Sequence, residues 1–170
     1  MIAATWFRCR DAVEFVTASG PLLWTLRRTR RRLAREGLEA TVDAATGVRR
    51  RTRASDCEQR LRAGREDEVL CWWLDRMGEH AICLYRSLVM LERLAALPYV
   101  ETLELVIGVQ RGAAGGLNEA HAWLLVNDML FRTHPGVSQS YQELCRFFRE
   151  PGRAAAGGPA TSRSAPHLLQ

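Results

Sequence analysis

The hydrophobic period of this chain changes at Pro98, and that change decides its fold class. Upstream, apolar residues recur at helical spacing; downstream they form short β-branched runs. From Trp6 to Gly20, Trp6, Phe7, Ala12, Val13, Phe15 and Val16 fit an amphipathic helix that Gly20-Pro21 is expected to break. A second helix is expected from Leu22 to Glu36. Its root is apolar, its tip carries Arg27, Arg28, Arg30, Arg31, Arg32 and Arg35, and Gly37 ends it. Residues 38–54, with Arg49, Arg50, Arg51 and Arg53, read as a loop or a loosely held turn of helix. Ser55 or Asp56 with Glu58 offers an N-cap for the stretch holding Leu61, Val69, Leu70, Trp72, Trp73, Leu74 and Met77, with Gly64 a candidate interruption and Gly78 its stop. From His80 to Leu97 a further helix places Leu84, Leu88, Leu91 and Ala95 on one stripe, with Pro98 at its end.

After Pro98 the run Leu103 to Val109 reads as a strand, followed by a loop containing Gly112, Gly115 and Gly116. Ala120 to Val126 is a second strand, Asn127-Asp128 a two-residue turn, and Met129 to Thr133 a third strand returning antiparallel. Ser138 to Glu150 reads as a terminal helix with Tyr141, Leu144, Phe147 and Phe148 facing the core. The Ala, Gly, Pro and Ser-rich tail has little to bury and is expected to be disordered. The expected fold class is α+β, with an Arg-rich helical region (1–78), a helix plus small antiparallel sheet (79–150), and the tail (151–170).

Composition removes several function classes. The 170 residues hold 24 cationic residues against 19 acids, giving +5, and every cation is Arg. No apolar run approaches the roughly 18 to 20 residues of a spanning helix, and the first residues lack a basic n-region and a long apolar h-region. The chain therefore reads as cytoplasmic. Five Cys at irregular spacings, without a C-x-x-C pair, argue against a disulfide framework and a zinc site, and no cofactor is implied. The Arg between 27 and 65 could bind nucleic acid, an acidic leader peptide, an anionic surface or an acidic protein. No aromatic interleaving raises the nucleic-acid reading.

Two residues have positional reasons to react. Cys83 falls in the first turn of the helix that follows Gly78, where free backbone N–H groups favour an anion and so the nucleophilic thiolate. His121 lies on a strand in Glu119-Ala120-His121-Ala122-Trp123, sharing a face with Trp123. A nucleophile on one element and its base on the next is the layout of cysteine acyl-transfer enzymes.

The series Cys83-Leu84-Tyr85-Arg86-Ser87-Leu88, Leu105-Val106-Ile107-Gly108-Val109 and Ala120-His121-Ala122-Trp123 resembles, in order and interval, the C-L-x-R-S-L, L-V-I-G-V and A-H-A-W motifs of the transglutaminase-like cysteine proteases that process lasso-peptide precursors. The resemblance covers residues 80–132. It implies a papain-like core, with Cys83 as the nucleophile attacking the bond between leader and core peptide and His121 as its base. It also implies three partners: the precursor peptide, a leader-recognition protein, and an ATP-dependent macrocyclase resembling asparagine synthetase. Residues 1–82 read as helical rather than as a strand-rich leader-binding module, so leader recognition is expected from a separate protein, with Trp72 and Trp73 as candidate docking residues.

The family places an Asp on the strand after the histidine, and the matching positions here are Thr133 and His134. A two-residue turn at Asn127-Asp128 would pair His121 with His134, making His134 the candidate third member. Asp128 sits at the hairpin tip, seven residues along, which at about 3.3 Å per residue is over 20 Å away. Glu119, on the same strand face as His121, is a candidate orienting acid. A catalytically silent scaffold that binds the leader or the macrocyclase is the competing reading, and an Arg-mediated nucleic-acid binder the third.

Overall fold

The computed structural model describes residues 9–47, 55–78, 82–111, 117–133 and 136–149. The expected tail and the Arg-rich segment around Arg49 to Arg53 lie outside them. The order is α1 (Cys9–Thr46), α2 (Asp56–Arg76), α3 (Ile82–Ala95), β1 (Leu103–Arg111), β2 (Leu117–Val126), β3 (Met129–Leu130), α4 (Val137–Ser140) and β4 (Gln142–Arg149). The strands form one antiparallel sheet in the order β3-β2-β1-β4. The fold is α+β, as the change of period at Pro98 implies.

The break in α1 falls at Gly37, not at Gly20-Pro21. Gly37 adopts φ 83°, ψ −178°, a left-handed extended geometry that an L side chain resists, and the helix resumes from Leu38. Pro21 is carried inside the helix because burial of Ser19, Leu22 and Leu26 along one face outweighs one lost backbone hydrogen bond. Of the two readings of residues 38–54, loop or helical turn, the helix holds as far as Thr46, where buried Val42 and Ala45 fix it to the core.

α2 opens with a full capping box. The Ser55 hydroxyl accepts from the Glu58 N–H, and the Ser55 N–H donates to the Glu58 carboxylate at 3.0 Å. Its aromatic pair meets α1: the Trp73 indole N–H donates to Ser19 Oγ at 3.0 Å, and the exposed Trp72 takes the Phe15 ring edge-on at 5.0 Å. α3 is apolar around most of its circumference because α1, α2 and the sheet all pack on it; Leu88, Val89, Met90, Leu91 and Leu94 are fully buried. At about 2 kcal/mol for each such side chain removed from water, this helix anchors the domain.

The main core lies between the three long helices and one face of the sheet, which contributes Leu103, Leu105, Ala122, Leu124 and Phe147. The opposite face is smaller and aromatic. Val106 and Trp123 pack there against Val137 of α4, with Leu125, Leu130 and Tyr141 at its margin. The chain between β3 and β4 crosses this second face, so α4 is its cover.

The last segment is a strand, not the expected terminal helix. Leu144, Phe147 and Phe148 suit a helical period, but β1 offers a free edge, and pairing from Leu103↔Arg149 to Val109↔Gln142 satisfies it. Phe147 and Cys145 then face the main core, while Leu144 and Phe148 are left exposed. β3 is also shorter than expected. Its ladder holds only Val126↔Met129 and Leu125↔Leu130, and Arg132 at φ 45° turns the chain away.

Candidate active site

The β2–β3 hairpin decides which way each carbonyl of β2 points. Asn127 and Asp128 both have positive φ, 49° and 64°, the signature of a type I′ turn closed by the Val126–Met129 pair. Even-numbered residues of β2 therefore direct their backbone groups toward β3, and Phe131 N–H donates to Leu124 O at 2.9 Å accordingly. Because β3 ends at Leu130, the carbonyls of Ala122 and Ala120 reach an edge without a strand beside it.

α3 fills that edge. The Ser87 hydroxyl donates to Ala122 O at 3.1 Å, and the Cys83 thiol lies 3.9 Å from Ala120 O. Four helix residues rise about 6.0 Å and two strand residues about 6.6 Å, so positions 83 and 87 keep step with 120 and 122. Cys83 is the second residue of α3, in its first turn as expected, and is half-buried.

His121 follows Ala120 directly, but alternation sends its side chain to the second face of the sheet. There its ring lies 6.2 Å from Trp123 at 23° and 5.2 Å from Tyr141 at 31°. The sulfur and the imidazole thus flank one strand edge, one residue apart. The sulfur's hydrogen-bond partner is the Ala120 carbonyl rather than the imidazole.

Gly108 stands opposite His121 in the β1–β2 register. A Cβ there would sit 2.8 Å from Trp123 Cη2 and 3.0 Å from Gln142 O, so the indole occupies the room that glycine leaves. The Gly of L-V-I-G-V and the Trp of A-H-A-W are two halves of one contact.

Burial, with the nearby Arg86 charge, pulls His121 below the ordinary imidazole range, while Glu119 pulls it upward; the balance leaves a neutral ring able to accept a proton. Burial, a hydrogen bond to Glu119, and the charges of Glu119 and Cys83 raise the Tyr141 hydroxyl. Burial raises the thiols of Cys71 and Cys145, keeping both protonated.

Arg86, one turn beyond Cys83, is fixed by a two-pronged bond to Asp67 at 2.7 and 2.8 Å and donates to Arg132 O at 2.9 Å. Asp67 is 2% exposed and also meets Arg132 Nε at 3.3 Å. This cluster ties α2, α3 and the end of β3 together behind the sulfur. Chiefly through its bond to Asp67, Arg86 is held charged, with Cys71 and Cys83 adding smaller pulls.

Of the residues singled out by sequence, Cys83 and His121 come to one strand edge, and Glu119 shares the His121 face. His134 lies outside the described residues, and the ladder expected to carry it opposite His121 ends at Leu130. Thr133 does not reach the imidazole face: its hydroxyl donates to Phe131 O at 3.0 Å, and it lines a small cavity with Asp67, Arg86 and Ser87. Tyr141 was missed because its segment reads as a helix; the alternation of Cys145 and Phe147 with Arg146 and Phe148 was the available sign of a strand. Among the described residues no cluster of His, Cys, Asp and Glu could hold a metal, and no helix is long and apolar enough to cross a membrane.

A half-buried cysteine in the first turn of a central helix, set against a sheet strand that bears a histidine, is the arrangement of a papain-like class of fold. The family pattern described as the transglutaminase-like superfamily matches residues 17–146, and the chain belongs to that superfamily. No curated protein and no solved structure matches it.

Proposed function

We propose that the chain is a cysteine peptidase that removes the leader from a ribosomally synthesised precursor of the lasso-peptide type. The observation that carries this reading is the placement of Cys83 at the carbonyl beside His121, within a motif series resembling the lasso-peptide proteases. In this reading His121 takes the thiol proton as the sulfur attacks the carbonyl joining leader and core. The resulting imidazolium gives its proton to the leaving amine, and water then hydrolyses the thioester, returning the thiol and a free carboxylate. In this reading the backbone N–H groups of the first turn of α3 hold the developing oxyanion, a contribution of about 3 kcal/mol per donor in other enzymes.

The partners proposed are the precursor, a separate leader-binding protein and the ATP-dependent macrocyclase. In a reconstituted mixture of these with the precursor, Cys83→Ala and His121→Ala each abolish leader release while folding normally. Persistence of cleavage in either variant refutes the assignment.

A second reading, a silent scaffold that binds the leader or the macrocyclase, draws on one observation: the thiol bonds a backbone carbonyl rather than the imidazole. Binding of the precursor or the macrocyclase without any cleavage by the unaltered protein favours it. The nucleic-acid reading draws less support, because several Arg are engaged within the fold. Arg28 pairs with Glu92 and Arg62 with Glu66, while Arg30 lies over Tyr85 and Arg60 over Tyr99.

A further inference from the structure

The second face of the sheet holds an arrangement around His121 that the motif series does not include. The rings of His121, Trp123 and Tyr141 form a three-membered cluster, with Trp123 and Tyr141 6.3 Å apart and each against the imidazole. The absent side chain of Gly108 lets the indole lie over β1 beside the imidazole. Tyr141 is fixed at its backbone as the cap of α4, donating its N–H to Val137 O at 3.1 Å, and Val137 is buried against Val106 and Trp123. Its hydroxyl faces Glu119, which stands two residues before His121 on the same strand face.

We propose that Glu119 and Tyr141 are positioning residues that together take the place of the third-position acid, Tyr141 packing beside the His121 ring and Glu119 supplying the negative charge. The inference rests on the reading of Cys83 and His121 as the reacting pair. The third acid of a triad fixes one tautomer and stabilises the imidazolium that forms. Here the charged groups around the imidazole are Glu119 from β2 and, across the strand edge, Arg86 from α3. Glu143 of β4, opposite Gly108, is spent on Arg146 through both carboxylate oxygens, at 3.0 and 2.7 Å. A protonated imidazole beside Arg86 is therefore balanced by Glu119 alone among the described acids. The Tyr141 hydroxyl keeps that carboxylate on the ring's side of the strand.

Long-range proton–nitrogen NMR of the ¹⁵N-labelled full chain tests this without substrate, the His121 signals being assigned by their loss in His121→Gln. The unaltered protein shows one tautomer. Glu119→Gln moves the His121 titration midpoint down by about 0.5 pH unit or more. Tyr141→Phe keeps the ring contact, removes the hydroxyl, and gives mixed tautomers. A His121 midpoint and tautomer unchanged in both variants overturns the proposal. The two readings fail separately. Loss of the NMR response while Cys83→Ala and His121→Ala still abolish cleavage removes only the positioning roles. An intact response in a protein that never cleaves precursor removes the peptidase.

Discussion

The Cys83 thiol lies 3.9 Å from the carbonyl oxygen of Ala120, the residue before His121, and one turn later Ser87 repeats the contact on Ala122. A helix and a strand run in step along an edge that β3 leaves open. The position of the sulfur is thus a property of that edge, and disturbing the edge disturbs the site.

Ser87→Ala removes the donor to a buried carbonyl. An orphaned buried acceptor costs about 1–3 kcal/mol. Urea unfolding reads this as a lower midpoint with unchanged slope. A midpoint equal to that of the unaltered protein shows that the Ser87 contact does not hold α3 to β2.

Gly108→Ala forces a methyl against Trp123 Cη2 and the Gln142 carbonyl. Overpacking of this kind costs about 1–3 kcal/mol. Because the indole must move, near-ultraviolet circular dichroism of the tryptophans changes along with thermal stability. An unchanged spectrum and melting temperature disprove the close packing.

Asp67→Ala leaves Arg86 and Arg132 without the carboxylate they share. Breaking a buried pair costs about 3–5 kcal/mol; since Arg132 reaches solvent, the lower end is expected. Denaturant unfolding measures it, and a loss below about 1 kcal/mol contradicts the structural role of the cluster.

Acidification acts through His121, whose midpoint lies below the ordinary 6.5 in the folded chain. The unfolded imidazole binds its proton first as pH falls, so this contribution to stability is complete above 6.5 and is lost as pH drops through the folded midpoint. The base form persists for the same reason, and the acid limb of precursor cleavage lies below pH 6.5. An acid limb above pH 6.5 contradicts the assignment of His121 as the base.

The fold was legible wherever one local signal dominated. Pro98 separated helices from strands, Ser55 and Glu58 marked the start of α2, and Asn127-Asp128 marked the hairpin. Long-range packing decided the rest. Pro21 stays helical because Leu22 and Leu26 are buried, and the segment from Gln142 became a strand because β1 needed a partner. In the site, Cys83, His121 and Glu119 could be read from position. Tyr141 could not, since its approach to His121 depends on the crossing of the second face by α4.

The most direct measurement is the rate at which iodoacetamide modifies each cysteine at neutral pH, followed by peptide mass spectrometry in the unaltered protein and in His121→Ala. The account predicts that Cys83 reacts faster than the exposed Cys57 and the burial-suppressed Cys71 and Cys145, and that His121→Ala removes this advantage. Modification of Cys83 no faster than that of Cys57, or at the same rate without the imidazole, contradicts it.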